Sequence, residues 1–211
     1  PTRRRRQRQM CIRDRSSTGG KSIQVTTEKF NHYSFDWMSG SDGFVFSSNY
    51  TEDWEYDFRN SEIYSISVNG SNLQQLTDRN GPDMGAAVSP DGKSIAYLGY
   101  EDKVQTYQIN NLTIMDIDGS NKRTINIDLD RSIESLKWSA DGKNLYFMYD
   151  NYGNTKIATT NLTGRVRKLI DDVGGTSIGR PYGGGSFSVS LEGEISYTLT
   201  SPYHPADIGY Y

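Results

Sequence analysis

Short runs of alternating apolar and polar residues fill this chain, and a glycine that returns about every 50 residues stands before one run in each repeat. Gly43, Gly92, Gly142 and Gly193 are separated by 49, 50 and 51 positions. Asp42, Asp91 and Asp141 precede the first three, and Glu192 precedes the fourth. The runs that follow are Phe44-Val45-Phe46, Ile95-Ala96-Tyr97-Leu98, Leu145-Tyr146-Phe147-Met148 and Ile195-Ser196-Tyr197-Thr198-Leu199. Strand-like runs on both sides of an Asp-Gly pair predict a β-hairpin, because Gly takes positive φ without steric cost and Asp tolerates it.

A second set of turns runs in phase with the first, at Gly20, Gly70, Gly119 and Gly164. Thus Glu62 to Val68 turns at Asn69-Gly70 into Leu73 to Thr77, and Leu112 to Ile117 turns at Asp118-Gly119 into Arg123-Thr124-Ile125. Ala158 to Leu162 turns at Thr163-Gly164 into Val166 to Ile170. Two in-phase hairpins make a unit of four short antiparallel strands, and a unit of this period predicts a β-propeller blade. The expected fold is all-β with next to no helix.

The blades fall at about 30–78, 82–127, 133–170 and 185–211, the last truncated, so that about three and a half blades make an incomplete propeller. Residues 16–29 read as the end of a preceding blade. Propellers close with about four to eight blades, each burying its faces only against its neighbours, so the chain reads as a fragment.

Composition divides the chain once more. Pro1 to Arg15 hold seven Arg, one Asp and the only cysteine, Cys11, whereas the rest carries 16 Lys plus Arg against 25 Asp plus Glu, a net charge of −9. So abrupt a break marks residues 1–15 as a non-native or disordered basic segment that takes no part in the function of the acidic body. An acidic body argues against nucleic-acid binding, which needs cationic surface. The absence of cysteine beyond Cys11 removes disulfides and thiolate metal sites. No apolar run approaches the 18 or so residues of a membrane span. Four Asn-x-Ser/Thr sequons, at Asn49, Asn69, Asn111 and Asn161, sit where Asn serves turns and strands.

Most chemical motifs fail on context. Gly175-Thr176-Ser177-Ile178-Gly179 matches a nucleophile elbow, yet Arg180-Pro181-Tyr182 and three glycines follow where a helix is required, so an inter-blade loop is expected. Gly20-Lys21-Ser22 and Gly92-Lys93-Ser94 lack the earlier glycine of a phosphate loop. Glu52-Asp53-Trp54-Glu55-Tyr56-Asp57 lacks the spacing of a calcium loop. No catalytic residue, metal site or cofactor is expected. Candidate substrate contacts are Trp54, Tyr56, Tyr100 and Tyr107, on the long connections 47–61 and 99–111, and Arg180, which can pair with a carboxylate.

The Ser89-Pro90-Asp91-Gly92-Lys93 hairpin with its following Asp118-Gly119-Ser120 turn resembles the repeat shared by TolB-type propellers and the propeller domains of the prolyl oligopeptidase family. Gly179-Arg180-Pro181-Tyr182, Ser186-Phe187-Ser188-Val189-Ser190 and Ser201-Pro202-Tyr203-His204-Pro205-Ala206-Asp207 are similar to later blades of its acylaminoacyl-peptidase and dipeptidyl-peptidase-like branch. The resemblance implies a serine peptidase whose propeller gates peptide access to a C-terminal α/β-hydrolase domain. That domain, the remaining blades and a peptide substrate would be the partners of this chain. The catalytic residues of the family belong to the hydrolase domain, and no position here matches them. A periplasmic or secreted setting fits the resemblance, a cytoplasmic one remaining open. The alternative is a stand-alone TolB-like propeller that binds a protein or ligand.

Overall fold

The computed structural model describes residues 13–14, 19–27, 29–175, 184–201 and 203–211. Among them no helix forms, and the strands assemble into four small antiparallel meanders plus one two-stranded ribbon. The ribbon pairs β1 (Arg13–Asp14) with β2 (Ile23–Gln24). The first blade runs β3 (His32–Trp37), β4 (Gly43–Ser48), β5 (Glu62–Ser67) and β6 (Gln74–Gln75). The second is β7 (Asp83–Val88), β8 (Ser94–Gly99), β9 (Asn111–Asp116) and β10 (Arg123–Ile125). The third is β11 (Ile133–Trp138), β12 (Asn144–Asn151), β13 (Asn154–Asn161) and β14 (Val166–Val173). The fourth has three strands: β15 (Phe187–Val189), β16 (Ile195–Ser201) and β17 (His204–Tyr210). Strand order follows chain order in every sheet, as in propeller blades.

The core is divided into layers between successive sheets. On β8, Ile95 and Tyr97 join Val45, Ile63 and Leu76 of the first blade, while Ala96 and Leu98 join Leu136, Leu145 and Phe147 of the third. Period two therefore buries both faces of the second strand, each against a different neighbour. Met148, Ile157 and Ile170 repeat the arrangement against Phe187 and Ile195 of the fourth blade. Thin layers of this kind need few apolar residues, which accounts for an apolar content of 34 %.

The first hairpin differs from the sequence-based expectation. Gly92, Gly142 and Gly193 hold φ of 70, 67 and 90°, but in the first blade that left-handed place belongs to Ser41, at 59°. The bonding settles the alignment: Val68 N–H donates to Asp42 O as Ile117 N–H donates to Lys93 O. Asp42 and Gly43 thus take the places of Lys93 and Ser94, two positions on from those of Asp91 and Gly92. Gly43 is a glycine for another reason, since a Cβ there would meet Ile66 O at 2.7 Å across the sheet.

A bulge also recurs in the first strand of three blades. Ser34, Gly85 and Ser135 all have positive φ, at 54, 65 and 59°, where the registers of β3, β7 and β11 slip. Such a bulge bends the strand and raises its twist.

The second-hairpin glycines lock blade to blade. A Cβ on Gly70 would meet Val25 O at 2.7 Å and one on Gly119 would meet Leu76 O at 2.9 Å, while one on Gly164 would overlap Asn126 O. Gln24 Nε2 donates to Thr26 O as Gln75 Nε2 donates to Thr77 O. Residues 23–26 hence sit against the first blade as 74–77 sit against the second.

Candidate functional site

The two ends of the blades are built differently. At one end the first and second strands are joined by five residues in every blade: 38–42, 89–93, 139–143 and 190–194. At the other, the second and third strands are joined by 13, 11, 2 and 2 residues, at 49–61, 100–110, 152–153 and 202–203. The first end is the turn face and the second the loop face.

Turn-face carboxylates serve the turns themselves. Asp91 Oδ1 accepts from Ser89 Oγ at 2.6 Å and Lys93 N at 3.1 Å, and Asp141 Oδ1 does the same with Ser139 and Lys143. These bonds, the Ser hydroxyl foremost, hold both carboxyls below the usual carboxylate range. Asp118 is lowered in the same way by Ser120.

The loop face carries exposed aromatics in every blade. Tyr56 and Phe58 are 85 and 78 % exposed, and Tyr107, Tyr152 and Tyr203 are 64, 92 and 89 % exposed. Tyr152 and Gly153 both take positive φ, the type I′ geometry of a two-residue hairpin, which leaves the Tyr152 ring outside. Between these side chains run the connections 49–61, 78–82, 100–110 and 127–132, with nine carboxylates against four Lys plus Arg.

Two shallow cavities open on this face. One of about 260 Å³ lies among Asn31, Tyr33, Asn49, Trp54, Phe58 and Asn60. Its wall is fixed by a ring cluster: Phe30 packs on Tyr50 at 4.8 Å and edge-on to Trp54 at 6.2 Å, and Tyr50 OH lies 2.7 Å from His32 Nε2. The other, about 270 Å³, lies between the second and third blades among Tyr107, Arg131, Glu134, Tyr149 and Asp150. Burial, then Asp150, raises the Glu134 carboxyl.

The structure therefore places Trp54 and Tyr107 in two separate cavities on one face, with Tyr56 exposed on the 49–61 connection. Tyr100 is half-buried and ties back through its N–H to Pro82 O at 3.3 Å. Arg180 and Ser177 lie outside the described residues. Tyr152 and Tyr203 escaped the sequence reading because their connections are short and loop length was the signal. Among the described residues no cluster of His, Cys, Asp and Glu could hold a metal ion, and no helix is long and apolar enough to cross a membrane.

No family model matches the chain. Among curated proteins it is 32 % identical over 138 residues to probable dipeptidyl-peptidase 5 of Arthroderma benhamiae, covering 59 % of this chain and 19 % of that protein. It is 24 % identical over 138 residues to dipeptidyl-peptidase 5 of Porphyromonas gingivalis, covering 64 % and 20 %. The chain thus matches about a fifth of the length of these relatives. Among solved structures, TolB from Acinetobacter baumannii superposes with a TM-score of 0.68 at 20 % identity, over 92 % of this chain and 43 % of that one. A puromycin hydrolase gives 0.66 at 16 % over 92 % and 32 %, and an oligogalacturonate lyase in complex with manganese 0.70 at 12 % over 93 % and 52 %. The fold is that of TolB-like propellers, and the sequence is similar to part of dipeptidyl-peptidase 5. A hydrolase, a lyase and TolB share this architecture, so blades alone define no chemistry.

Proposed function

We propose that this chain is a non-catalytic propeller portion of a serine peptidase of the prolyl oligopeptidase type, acting as scaffold and as a lid that gates peptide access to a hydrolase domain. The observation that carries this reading is the 32 % identity over 138 residues to a probable dipeptidyl-peptidase 5. The loop face supports it, because exposed aromatic rings and acidic connections suit extended peptides that carry apolar side chains and a cationic end. Trp54 and Tyr107 are the leading contacts, flanked by Tyr56 and Tyr100, with Arg180 as a further candidate. The superposition with TolB favours a second reading, a propeller that binds a protein or ligand on its own.

Calorimetric titration with tripeptides, free and N-acetylated, separates the two. Peptide binding that Trp54→Ala and Tyr107→Ala each weaken severalfold supports the lid. Indifference to both substitutions, or no peptide binding at all, contradicts it. The chain alone should leave dipeptidyl chromogenic substrates intact; turnover abolished by Ser177→Ala would place a nucleophile in the chain after all.

A further inference from the structure

On the loop face, the first blade meets the second through buried charge. Glu62, the first residue of β5, is 7 % exposed, and Asp83, the first of β7, is 1 % exposed. Thr77 Oγ1 lies 2.5 Å from Glu62 Oε2 and accepts the Ile63 N–H at 2.9 Å. Arg79 pairs through Nη2 with Asp83 Oδ1. Among the described residues, Asp83 Oδ2 and Arg79 Nε have no hydrogen-bond partner although both are buried.

The other charges facing the pair do not resolve the imbalance. Asp78 repels Glu62 from the connection after β6, and Lys122 attracts Asp83 from the turn after β9. Tyr64 on β5 and Tyr97 on β8 face the carboxylates with hydroxyls that stay neutral, both pushed up to about 12 by burial. A single guanidinium committed to Asp83 leaves Glu62 as a buried acid with no cation of its own. Burial pushes its carboxyl up to about 7, against the Thr77 hydrogen bond and with help from Asp83 and Asp78.

Around this cluster three connections are stitched together. Asp83 N–H donates to Ser61 O at 2.7 Å, and Ser61 Oγ donates to Asp83 O at 3.1 Å. Gly81 N–H donates to Asn60 Oδ1 at 3.3 Å, and Asp102 N–H to Asn80 O at 2.8 Å. Arg59 Nη1 reaches Asp102 Oδ2 at 3.8 Å. The strap 78–82 thus joins the Trp54 loop to the Tyr107 loop, and Asp83 anchors it.

We propose that Glu62 and Asp83 form a protonation-controlled latch: a proton on Glu62 holds the 49–61 and 100–110 loops to the strap, and its loss loosens them. The physical cause is charge. Removing the proton sets two buried anions against one guanidinium across the seam, and the lowest-energy relief is to admit water by lifting the strap. The latch acts whatever ligand the loop face takes, so it stands or falls apart from the peptidase reading.

Hydrogen exchange on the whole chain, corrected for the intrinsic pH dependence, tests this. Protection of amides in 49–61 and 100–110 should fall about tenfold between pH 6 and pH 8, a factor matching one unit of titration. The turns 89–93 and 139–143 should not change. Glu62→Gln, neutral at every pH, should hold the protected state throughout. Asp83→Asn should move the transition to lower pH. Carbon-13 titration of the wild-type side chain needs no variant, and Glu62 must titrate near neutrality. An ordinary Glu62 titration, unchanged loop protection across this range, or a pH response that survives Glu62→Gln overturns the proposal.

Discussion

The turn face and the loop face are made by the same strands, yet they spend their polar residues in opposite ways. On the turn face Asp91, Asp118 and Asp141 accept hydrogen bonds from their own loops, and Gly70, Gly119 and Gly164 abut backbone of the adjoining element. On the loop face the rings of Tyr56, Phe58, Tyr107 and Tyr152 reach solvent, and Glu62 and Asp83 are buried with too little positive charge. Order at one end is thus local and repeated; at the other it is long-range and peculiar to each blade. A propeller can afford this division because the layered cores hold the blades without help from the loops.

The largest expected effect sharpens that contrast. Gly164→Ala must push against Asn126 O in a left-handed conformation, and should cost about 2–4 kcal/mol, read as a lower midpoint in urea. Tyr56→Ala and Tyr152→Ala on the loop face should change stability by less than about 0.5 kcal/mol. Comparable losses at both faces would break the division.

The two faces should also respond to pH with opposite sign. Asp91 and Asp141 have lowered carboxyls, so their contribution is present above the usual carboxylate range and disappears as acid protonates them. Glu62 has a raised carboxyl, so its contribution is full below its unfolded value and is lost as pH rises through about 7. Thermal melts of Glu62→Gln should therefore lose the decline that runs from the ordinary carboxylate range up to about pH 7 and keep the acid limb. Asp141→Asn should soften the acid limb and leave the neutral one.

A smaller effect tests the corrected turn. Ser41→Gly and Ser135→Gly place glycine where φ is 59°, and each should gain about 0.5 kcal/mol, whereas Gly43→Ala should lose stability through its contact with Ile66 O.

Much of this was legible in the chain. The Asp-Gly and Asn-Gly turns gave the blade period, and runs such as Ile95 to Leu98 marked the strands, but burial of both faces of β8 follows from the stacking of neighbouring sheets and not from the run itself. The first turn was misplaced because a search for glycine settles on Gly43, whereas the left-handed position is filled by Ser41. The bulge at Ser34, Gly85 and Ser135 left no readable signal, since serine does not announce positive φ. Aromatics on long loops pointed to Trp54 and Tyr107, but the short hairpin hid Tyr152. The seam of Glu62, Thr77, Arg79 and Asp83 joins residues from two blades, and no local pattern predicts that partnership.

Chemical-shift mapping of a free tripeptide onto the chain is the most direct test of the division between faces. The account predicts perturbations confined to 49–61, 100–110 and the neighbouring 127–132 and 152–153 connections. Perturbations centred on the turns at 38–42, 89–93 and 139–143 would contradict it.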